Sequence, residues 1–500
     1  MSTSTPSLAP GGKKPLNISL IGGLLGVLAA VIIELLPLGG GLPVAGHHML
    51  AILAFAVIVW ISEAMDYTVS SILISALIIF LVGSAPDMAD PSKVIGTQKA
   101  LKLALGGFSN SGLALVAAAL FIAAAMTVTG LDRRIALFTM SHIGAGGKRV
   151  LIGSIVVTIL LSFIVPSATA RTACVVPIML GGIASLKLDK KGPLAASIMI
   201  TIAQATSIWN IGILTSAAQN LLSRGFVEKA FGAEHALTWI DWFIAGAPWA
   251  IAMSVVLFFV VRRVLPPEIE TIPGGKQAMA DSYAALGPMS GAEKRLLTLS
   301  LVLLGLWATE GKLHNLDTAS TTIGGIALML LPGVGVMSWS EAQKRIPWGT
   351  VLVFGVGISL GTALLDTKAA AWLSTFVVQM FHLDTLSAFG IFAVLSAFLI
   401  LIHLGFASAT ALTAALLPIL ISVLTSLPGP INAAGITMLL AFTVSFGFVL
   451  PVNAPQNMVC LGTETFTTRQ FTLVGLWLTG IGYLMLLLFA LTWWPLLGLI

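Results

Sequence analysis

A short polar phrase occurs twice in this chain, about half its length apart. Residues 167–178 read SATARTACVVPI and residues 408–419 read SATALTAALLPI, and each has a proline ten residues after its first serine. Both phrases interrupt long apolar segments with small residues and hydroxyls. Inside a membrane, backbone groups that leave a helix must find partners, so such a break is tolerated only where it is buried in protein or lines a cavity. The duplication therefore predicts two related halves, each with a polar break inside apolar sequence.

Apolar residues dominate the sequence too strongly for a fold that is surrounded by water. Hydrophobic residues make up 57% of the 500 residues and charged residues only 9%, and the mean hydropathy is +1.02. Soluble domains average about a quarter charged residues. We therefore predict an all-α polytopic membrane protein whose surroundings are the lipid bilayer, and we expect no nucleic-acid partner.

Long apolar runs locate the predicted spans. We predict eleven transmembrane helices at about 16–37, 49–65, 68–83, 111–130, 195–215, 241–261, 296–311, 319–336, 350–366, 431–450 and 472–497. Two further apolar segments, 150–186 and 386–427, are interrupted by the duplicated phrase. We predict that these two segments are re-entrant helical hairpins, each entering and leaving the membrane on one side.

The distribution of Lys and Arg predicts the orientation of these spans. Most of the 25 Lys and Arg fall on one face, which also receives the N-terminus. Because cytoplasmic loops carry the excess of positive charge, we place the N-terminus in the cytoplasm and the C-terminus outside, in a multi-pass protein of the cell inner (plasma) membrane. The predicted divisions are a disordered cytoplasmic tail (1–15), a first transmembrane helix (16–48), a first repeat (49–265, with hairpin 150–186), a cytoplasmic loop (266–295) and a second repeat (296–500, with hairpin 386–427).

The duplication extends beyond the two phrases. Upstream of each phrase, an apolar span ends in a Leu-Asp pair, and downstream the sequence reads AAQN at 217–220 and APQN at 454–457. Ser167 and Ser408 are 241 residues apart, and Asn220 and Asn457 are 237 apart. An odd number of predicted spans separates the copies, so the second half is expected to be inverted and the two hairpin tips to meet near the bilayer midplane. This inverted-repeat arrangement is typical of alternating-access carriers.

The residue types at these breaks suit an anion. Hydroxyls and free backbone groups are available without bulk, and helices that start just after Thr169 and Thr410 would direct their positive N-terminal ends inward. Arg171 is expected to form a bidentate contact with a carboxylate; the alternative is that it reaches water or makes only structural contacts. His403 is interpreted as a structural histidine, with titration or anion binding as the alternative. We predict no catalytic residues, because neither a P-loop, a metal-ligand cluster nor a nucleophile constellation is present.

At these residues the chain resembles the divalent-anion:sodium symporter family, which carries succinate, malate, citrate and sulfate. The resemblance covers nearly the whole chain. It implies that hydroxyls of both tips contact the carboxylates of the substrate and that the turns of the two broken spans close the site. The substrate-binding positions implied are Ser167, Ala168, Thr169, Arg171, Ala217, Ala218, Ser408, Ala409, Thr410, Ala454 and Pro455.

The resemblance also implies coupling ions and an assembly. Sodium would lie between Ser167 and Ser216 in one half and between Ala407 and Asn453 in the other. The protein would be a homodimer whose scaffold holds two transport domains that move as elevators.

Two departures from the family pattern bear on sodium. The asparagines of the family's tips are replaced by Ala168 and Ala409, and Arg171 resembles the exchanger branch, in which fixed cations replace coupling sodium. The sequence therefore predicts a carrier of di- or tricarboxylates (succinate, malate, citrate or 2-oxoglutarate) and leaves Na⁺ symport and anion exchange open, with Na⁺ as a possible coupling ion and no other cofactor. The alternatives are a transporter of sulfate or another inorganic divalent anion and an ion channel.

Overall fold

The computed structural model describes residues 16–37, 39–143, 146–185, 188–235, 237–266 and 275–500. Within these ranges the chain forms 22 α-helices and no β-strand, which confirms the all-α prediction. The predicted tail over 1–15 lies outside the described residues, as does part of the predicted loop over 266–295.

The first half of the described chain contains eleven α-helices and ends with the long apolar helix α11. They are α1 (Leu16–Leu35), α2 (Val44–Ser62), α3 (Tyr67–Leu77), α4 (Thr97–Leu105), α5 (Ser111–Thr129), α6 (Leu131–Ile143), α7 (Gly147–Ile164), α8 (Ala168–Ser185), α9 (Pro193–Gly212), α10 (Ala218–Phe231) and α11 (Trp239–Val264). A π-helical turn, Ile78–Val82, extends α3. Side-chain caps fix several starts: Asn110, for example, accepts a 2.7 Å hydrogen bond from Gly112 N at the start of α5.

The second half begins with a short helix, α12. Its helices are α12 (Gly275–Ala284), α13 (Gly291–Thr309), α14 (Thr318–Leu330), α15 (Trp339–Arg345), α16 (Trp348–Asp366), α17 (Ala369–Phe381), α18 (Ala388–His403), α19 (Ala409–Ser426), α20 (Ala433–Thr443), α21 (Pro455–Leu461) and α22 (Thr468–Leu496). Ser290 and Glu293 form a capping box that starts α13.

Eight of the described helices are long and apolar enough to cross a membrane, namely α2, α5, α7, α9, α11, α16, α19 and α22. Shorter apolar helices (α1, α3 with its π turn, α14 and α20) coincide with four other predicted spans, and α13 coincides with the predicted span 296–311. Each predicted span thus corresponds to a helix, and the chain is a multi-pass membrane protein.

The order of elements is duplicated, as the sequence predicts. The series α5 to α11 and the series α16 to α22 each contain a long helix, a short helix, two helices around the polar phrase, a broken helix and a long final helix. The breaks at the phrases fall at 165–167 and 404–408, and those of the broken helices fall at 213–217 and 444–454. Pro177 and Pro418 lie inside α8 and α19 rather than at the breaks.

Burial places the breaks at the centre of the molecule. The apolar window of α9 is 100% buried, whereas that of α22 is 33% buried, so α9 lies inside the bundle and α22 at its rim. Gly475 lets α22 approach the second break, because a Cβ there would lie 2.0 Å from the Phe448 oxygen. Except at Leu404, Gly405 and Val452, which are exposed, the residues of the four breaks are buried or partly buried. Most of the non-helical backbone is therefore enclosed by protein, which is the condition for its presence at membrane depth.

Candidate functional site

A cavity of about 560 Å³ lies where both phrases and both broken helices meet three helices from elsewhere in the bundle. The phrases and breaks contribute Pro166, Ser167, Ala168, Thr169, Asn210, Ala217, Ala218, Gln219, Ala407, Ser408, Ala409, Thr410, Ser445, Gly447, Ala454, Pro455 and Gln456, together with His403 at the end of α18. The opposite wall consists of the start of α3, part of α5 and the start of α16, with Asp66 just before α3. The two halves of the duplication therefore contribute to one site.

Five of the described helices begin with a residue that lines this cavity, and for α3 and α21 these residues are Tyr67 and Pro455. The first residues of α8, α10 and α19 are Ala168, Ala218 and Ala409, and all three line it. The first N–H groups of a helix lack internal partners and carry partial positive charge. Two of them are bonded to serine hydroxyls: Ser167 Oγ accepts from Ala170 N at 3.3 Å and Ser408 Oγ accepts from Ala411 N at 3.2 Å. The remaining N–H groups and the aligned helix dipoles favour an anion in the cavity.

Arg171 lies one helical turn beyond Ser167 and does not line the cavity. Its side chain is 1% exposed and holds two structural breaks together. Nη1 donates to the main-chain oxygens of Val165 at 2.9 Å and Ser216 at 2.7 Å, and Nη2 donates to Asn210 Oδ1 at 2.7 Å. The structure thus places the guanidinium behind the first tip, where it binds protein oxygens instead of standing free for bidentate contact with a ligand.

The charge of Arg171 is not balanced nearby. No carboxylate of the described chain forms an ion pair with it; the buried pairs that do form, such as Arg134–Glu293 and Arg224–Glu310, lie elsewhere. Among the described residues that line the cavity, Asp66 alone is acidic, and it is exposed at the edge. Burial of a cation without a counter-charge is costly, so an anion in this cavity would be stabilised by a charge that has no acidic partner among the described residues.

The second half uses different side chains at the corresponding places. Leu412 occupies the position that corresponds to Arg171. His403 is 1% exposed, and its Nε2 lies 3.3 Å from the main-chain oxygen of Asn453. Asn453 Nδ2 in turn donates to the oxygens of His403, Leu404 and Phe406 at 2.9, 3.2 and 3.0 Å. Side-chain donors therefore occupy the carbonyl oxygens around both tips.

The repeated Gln-Asn pairs connect the two halves. Gln219 Nε2 donates to Ser445 Oγ at 3.1 Å, and Gln456 Nε2 donates to Ser207 Oγ at 3.0 Å, so each glutamine crosses to the broken helix of the other half. The asparagines stay within their own half: Asn220 Nδ2 donates to Asn210 O at 2.6 Å and Asn457 Nδ2 to Gly447 O at 2.9 Å. These reciprocal bonds satisfy backbone and hydroxyl groups that the breaks leave free.

Most of the predicted site residues meet at the cavity. Those that line it are Ser167, Ala168, Thr169, Ala217, Ala218, Ala407, Ser408, Ala409, Thr410, Ala454 and Pro455. Arg171, Ser216 and Asn453 lie behind this wall and hold its backbone. Sequence reasoning missed Asn210, Gln219, Gln456 and the opposite wall. The repeated Gln-Asn pair was a usable signal for the two glutamines, whereas no motif marks Asn210.

Comparisons with known proteins identify the family of the chain. The family profile described as the sodium:sulfate symporter transmembrane region matches residues 18–500. The chain is 62% identical over 483 residues to a Cupriavidus necator protein described as a membrane protein, covering 96% of this chain and 94% of the relative. It is 27% identical to a sodium-dependent dicarboxylate transporter, SdcS, of Staphylococcus saprophyticus, with coverage of 93% and 89%. It is also 27% identical to a citrate/succinate antiporter of Escherichia coli, with coverage of 93% and 95%.

A solved structure shares the fold. The crystal structure of the Alcanivorax borkumensis YdaH transporter superposes with a TM-score of 0.53 at 14% identity and covers 86% of this chain and 98% of its own. The match to the family profile extends over almost the whole chain, including both phrases and both breaks. The chain therefore belongs to the sodium:sulfate symporter family, the divalent-anion:sodium symporters, and is a membrane transporter, not an enzyme.

Proposed function

We propose that the protein exchanges di- or tricarboxylate anions, of the succinate, malate, citrate and 2-oxoglutarate class, without a coupling sodium ion in its first half. The observation that carries this proposal is the position of Arg171. A sodium ion between Ser167 and Ser216 would need oxygen ligands. The Ser216 oxygen and the neighbouring Val165 oxygen already accept hydrogen bonds from the guanidinium. The permanent charge of Arg171 therefore takes the place of the exchangeable sodium ion that the family resemblance implies.

A permanent charge has a consequence for the transport cycle. A sodium symporter can release its cation together with its substrate and return empty without a buried charge. This protein keeps the guanidinium in every state, and an uncompensated cation at membrane depth is expensive. Return of the empty carrier is therefore disfavoured, and return with a second anion is favoured, which is obligatory exchange.

The second half supports the same interpretation. The predicted sodium position between Ala407 and Asn453 is surrounded by the carbonyl oxygens to which the Asn453 amide donates. Sodium symport remains the second candidate because these three oxygens converge on a single nitrogen, and such a group of oxygens would suit Na⁺ if the amide turned away. Relatives described as sodium-dependent dicarboxylate transporters are compatible with that alternative.

The position of the cavity fits an elevator mechanism. We propose that the predicted repeats 49–265 and 296–500 have opposite orientations, and that the two phrases and broken helices form a body that moves against a scaffold containing α3, α5 and α16. The cavity lies between these two groups of helices. It is lined by Pro347 and Gly349, next to the basic pair Lys344-Arg345. With positive residues inside, it opens to the cytoplasm. The proposal includes a homodimer in the plasma membrane with the C-terminus outside.

Uptake into proteoliposomes tests the function. Labelled succinate, citrate, 2-oxoglutarate, tartrate and sulfate are supplied with and without a Na⁺ gradient, and with and without internal dicarboxylate. Exchange predicts uptake that internal dicarboxylate stimulates and that Na⁺ leaves unchanged. Dependence on the Na⁺ gradient without trans-stimulation would instead establish symport. Uptake of sulfate alone would identify an inorganic-anion transporter, and flux that neither saturates nor shows trans-stimulation would identify a channel.

A further inference from the structure

The orientation of the Asn210 amide is fixed by its contact with Arg171. Arg171 Nη2 lies 2.7 Å from one end of this amide. A guanidinium has donors only and accepts nothing, so the facing atom must be the oxygen Oδ1. The side chain is held tightly, because Asn210 is 3% exposed and its main-chain oxygen accepts from Asn220 Nδ2 at 2.6 Å. The amide nitrogen Nδ2 is therefore directed away from Arg171.

This nitrogen has no protein partner. None of the described residues accepts a hydrogen bond from Asn210 Nδ2, and Asn210 lines the cavity. Its Oδ1 receives a charged donor, and a hydrogen bond of that kind polarises the amide and strengthens the N–H at its other end. An N–H donor backed by a buried cation suits a carboxylate oxygen.

We propose that Asn210 binds one carboxylate of the transported anion through Nδ2 and transmits to it the positive charge of Arg171. The inference rests on the proposed transport of carboxylates and adds a residue that sets substrate specificity. Arg171 then acts as a positioning residue, since it orients the amide and attracts the anion without touching it.

The second half has no equivalent amide donor, although Ser408, Thr410 and His403 line the cavity there. Gly447 corresponds to Asn210, since each accepts a hydrogen bond through its main-chain oxygen from the asparagine of the Gln-Asn pair. A Cβ at residue 447 would lie 3.3 Å from the Asn453 oxygen and 3.4 Å from the His403 ring, so the histidine occupies the space of a side chain there. The cavity is therefore polarised: the carboxylate at the end formed by the first half has a cation behind its binding residue, whereas the other end meets Ser408, Thr410 and His403 with no arginine behind them. Such a site tolerates variation in the far end of the anion more than loss of the near carboxylate.

Two substitutions separate a binding role from a structural one. Asn210→Asp keeps an acceptor for Arg171 but replaces the donor with a second negative oxygen, whereas Asn210→Ala removes both ends of the amide. If Nδ2 binds the substrate, the aspartate is the more damaging change, because it repels the anion and neutralises Arg171. We expect the KM for succinate to rise roughly ten- to a hundredfold in N210A and exchange in N210D to fall further. A purely structural role predicts a lower Tm in N210A than in N210D, because N210D preserves the bond to Arg171.

The measurement is succinate counterflow in proteoliposomes, combined with the shift in Tm that succinate causes in the purified protein. Asn432→Asp serves as the matched control, because Asn432 caps α20 away from the cavity and an aspartate keeps this cap. The aspartate loses the 2.7 Å bond from Nδ2 to the Gly498 oxygen, which affects the Tm itself but not the shift that succinate causes. We expect N432D to resemble the wild type in both measurements. A wild-type KM in N210D, or a larger loss of exchange in N210A than in N210D, would overturn the role of Asn210. The proposed function would still hold in that case, provided that the wild-type protein exchanges succinate. Wild-type protein that neither exchanges succinate nor responds to it would refute the proposed function itself.

Discussion

Replacement of Arg171 by alanine removes the permanent charge behind the cavity. Three acceptors lose their donor: the oxygens of Val165 and Ser216 and the Asn210 Oδ1. Each orphaned acceptor costs about 1–3 kcal/mol of folding free energy. This cost is offset because an unpaired buried cation, itself a penalty of several kcal/mol, is also removed. We therefore expect Arg171→Ala to fold and assemble like the wild type.

Transport should respond far more than stability. A carboxylate that accepts from Asn210 lies within roughly 8 Å of the guanidinium, because the amide bridges them with one hydrogen bond of 2.7 Å and another of ordinary length. At an effective dielectric constant of about 20, the attraction across that distance is about 2 kcal/mol, which corresponds to roughly a thirtyfold change in KM. Loss of the oriented amide adds to this effect, so uptake at micromolar succinate should be nearly abolished.

Sodium provides the decisive comparison. The alanine variant frees the Val165 and Ser216 oxygens, which are ligands of the type that Na⁺ prefers. We expect Na⁺, but not choline, to restore part of the succinate uptake in Arg171→Ala proteoliposomes, and Arg171→Lys to retain uptake without Na⁺. Arg171→Ala with a wild-type KM and no response to Na⁺ would show that the guanidinium neither attracts the substrate nor replaces an ion.

Three further changes test contacts outside and inside the cavity. Burial raises the pKa of Glu293, but hydrogen bonds from Arg134 and the helix cap lower this pKa by more. The Glu293 carboxylate therefore stabilises the fold above the ordinary carboxyl pKa, and this stabilisation is lost as the pH falls through the lowered pKa. Glu293→Gln should remove about 3 kcal/mol of unfolding free energy at neutral pH by stranding Arg134, with a smaller difference in Tm from the wild type in acid. Glu310→Gln breaks the 3.4 Å ion pair of Arg224 with Glu310, which connects α10 to the end of α13. If these helices separate during transport, the substitution should raise the Vmax of exchange at constant KM. An unchanged Vmax would contradict that motion. Gly447→Ala should slow exchange several-fold and cost about 1–3 kcal/mol of stability, measured by counterflow and thermal unfolding, because its Cβ would crowd the His403 ring.

The elements that the sequence predicted share one physical cause. A polar interruption of apolar sequence is permitted in lipid only at a cavity, so both phrases and the AAQN and APQN turns indicated a common site without any knowledge of packing. Hydropathy located the spans for a similar reason, since backbone groups in lipid must pair within their own helix. The predicted span 431–450 was less accurate: α20 ends at Thr443 and the remainder is the second break, because its apolar residues are enclosed by protein and need not be helical.

The direction of individual side chains was beyond the reach of the sequence. Arg171 lies in the first turn of α8, and whether its side chain faces the cavity or the protein depends on how α8 docks against α9 and the first break. The opposite wall carries no duplicated motif: it combines small or apolar residues such as Gly349 and Val353 with a few separate polar ones, Asp66, Tyr67, Thr68 and Thr350. The two glutamines were visible in the sequence as a repeated Gln-Asn pair. Their hydrogen bonds to the opposite half could not be predicted, because these bonds require the two broken helices to be adjacent in space.

The differences between the two halves, more than their similarity, determine the charge that the carrier moves. Alanine, serine and threonine recur at equivalent positions of both tips, whereas Arg171 corresponds to Leu412 and Asn210 corresponds to Gly447 in the other copy. Because the guanidinium belongs to the protein, it crosses the membrane in both directions, and exchange of one dianion for another moves no net charge. We therefore expect succinate/succinate exchange to be insensitive to a potassium-diffusion potential of either sign, whereas exchange of trianionic citrate for succinate should respond to it. Symport with more than two sodium ions per succinate would respond to the potential in both experiments, so voltage-driven accumulation of succinate would refute a fixed charge as the substitute for coupling sodium.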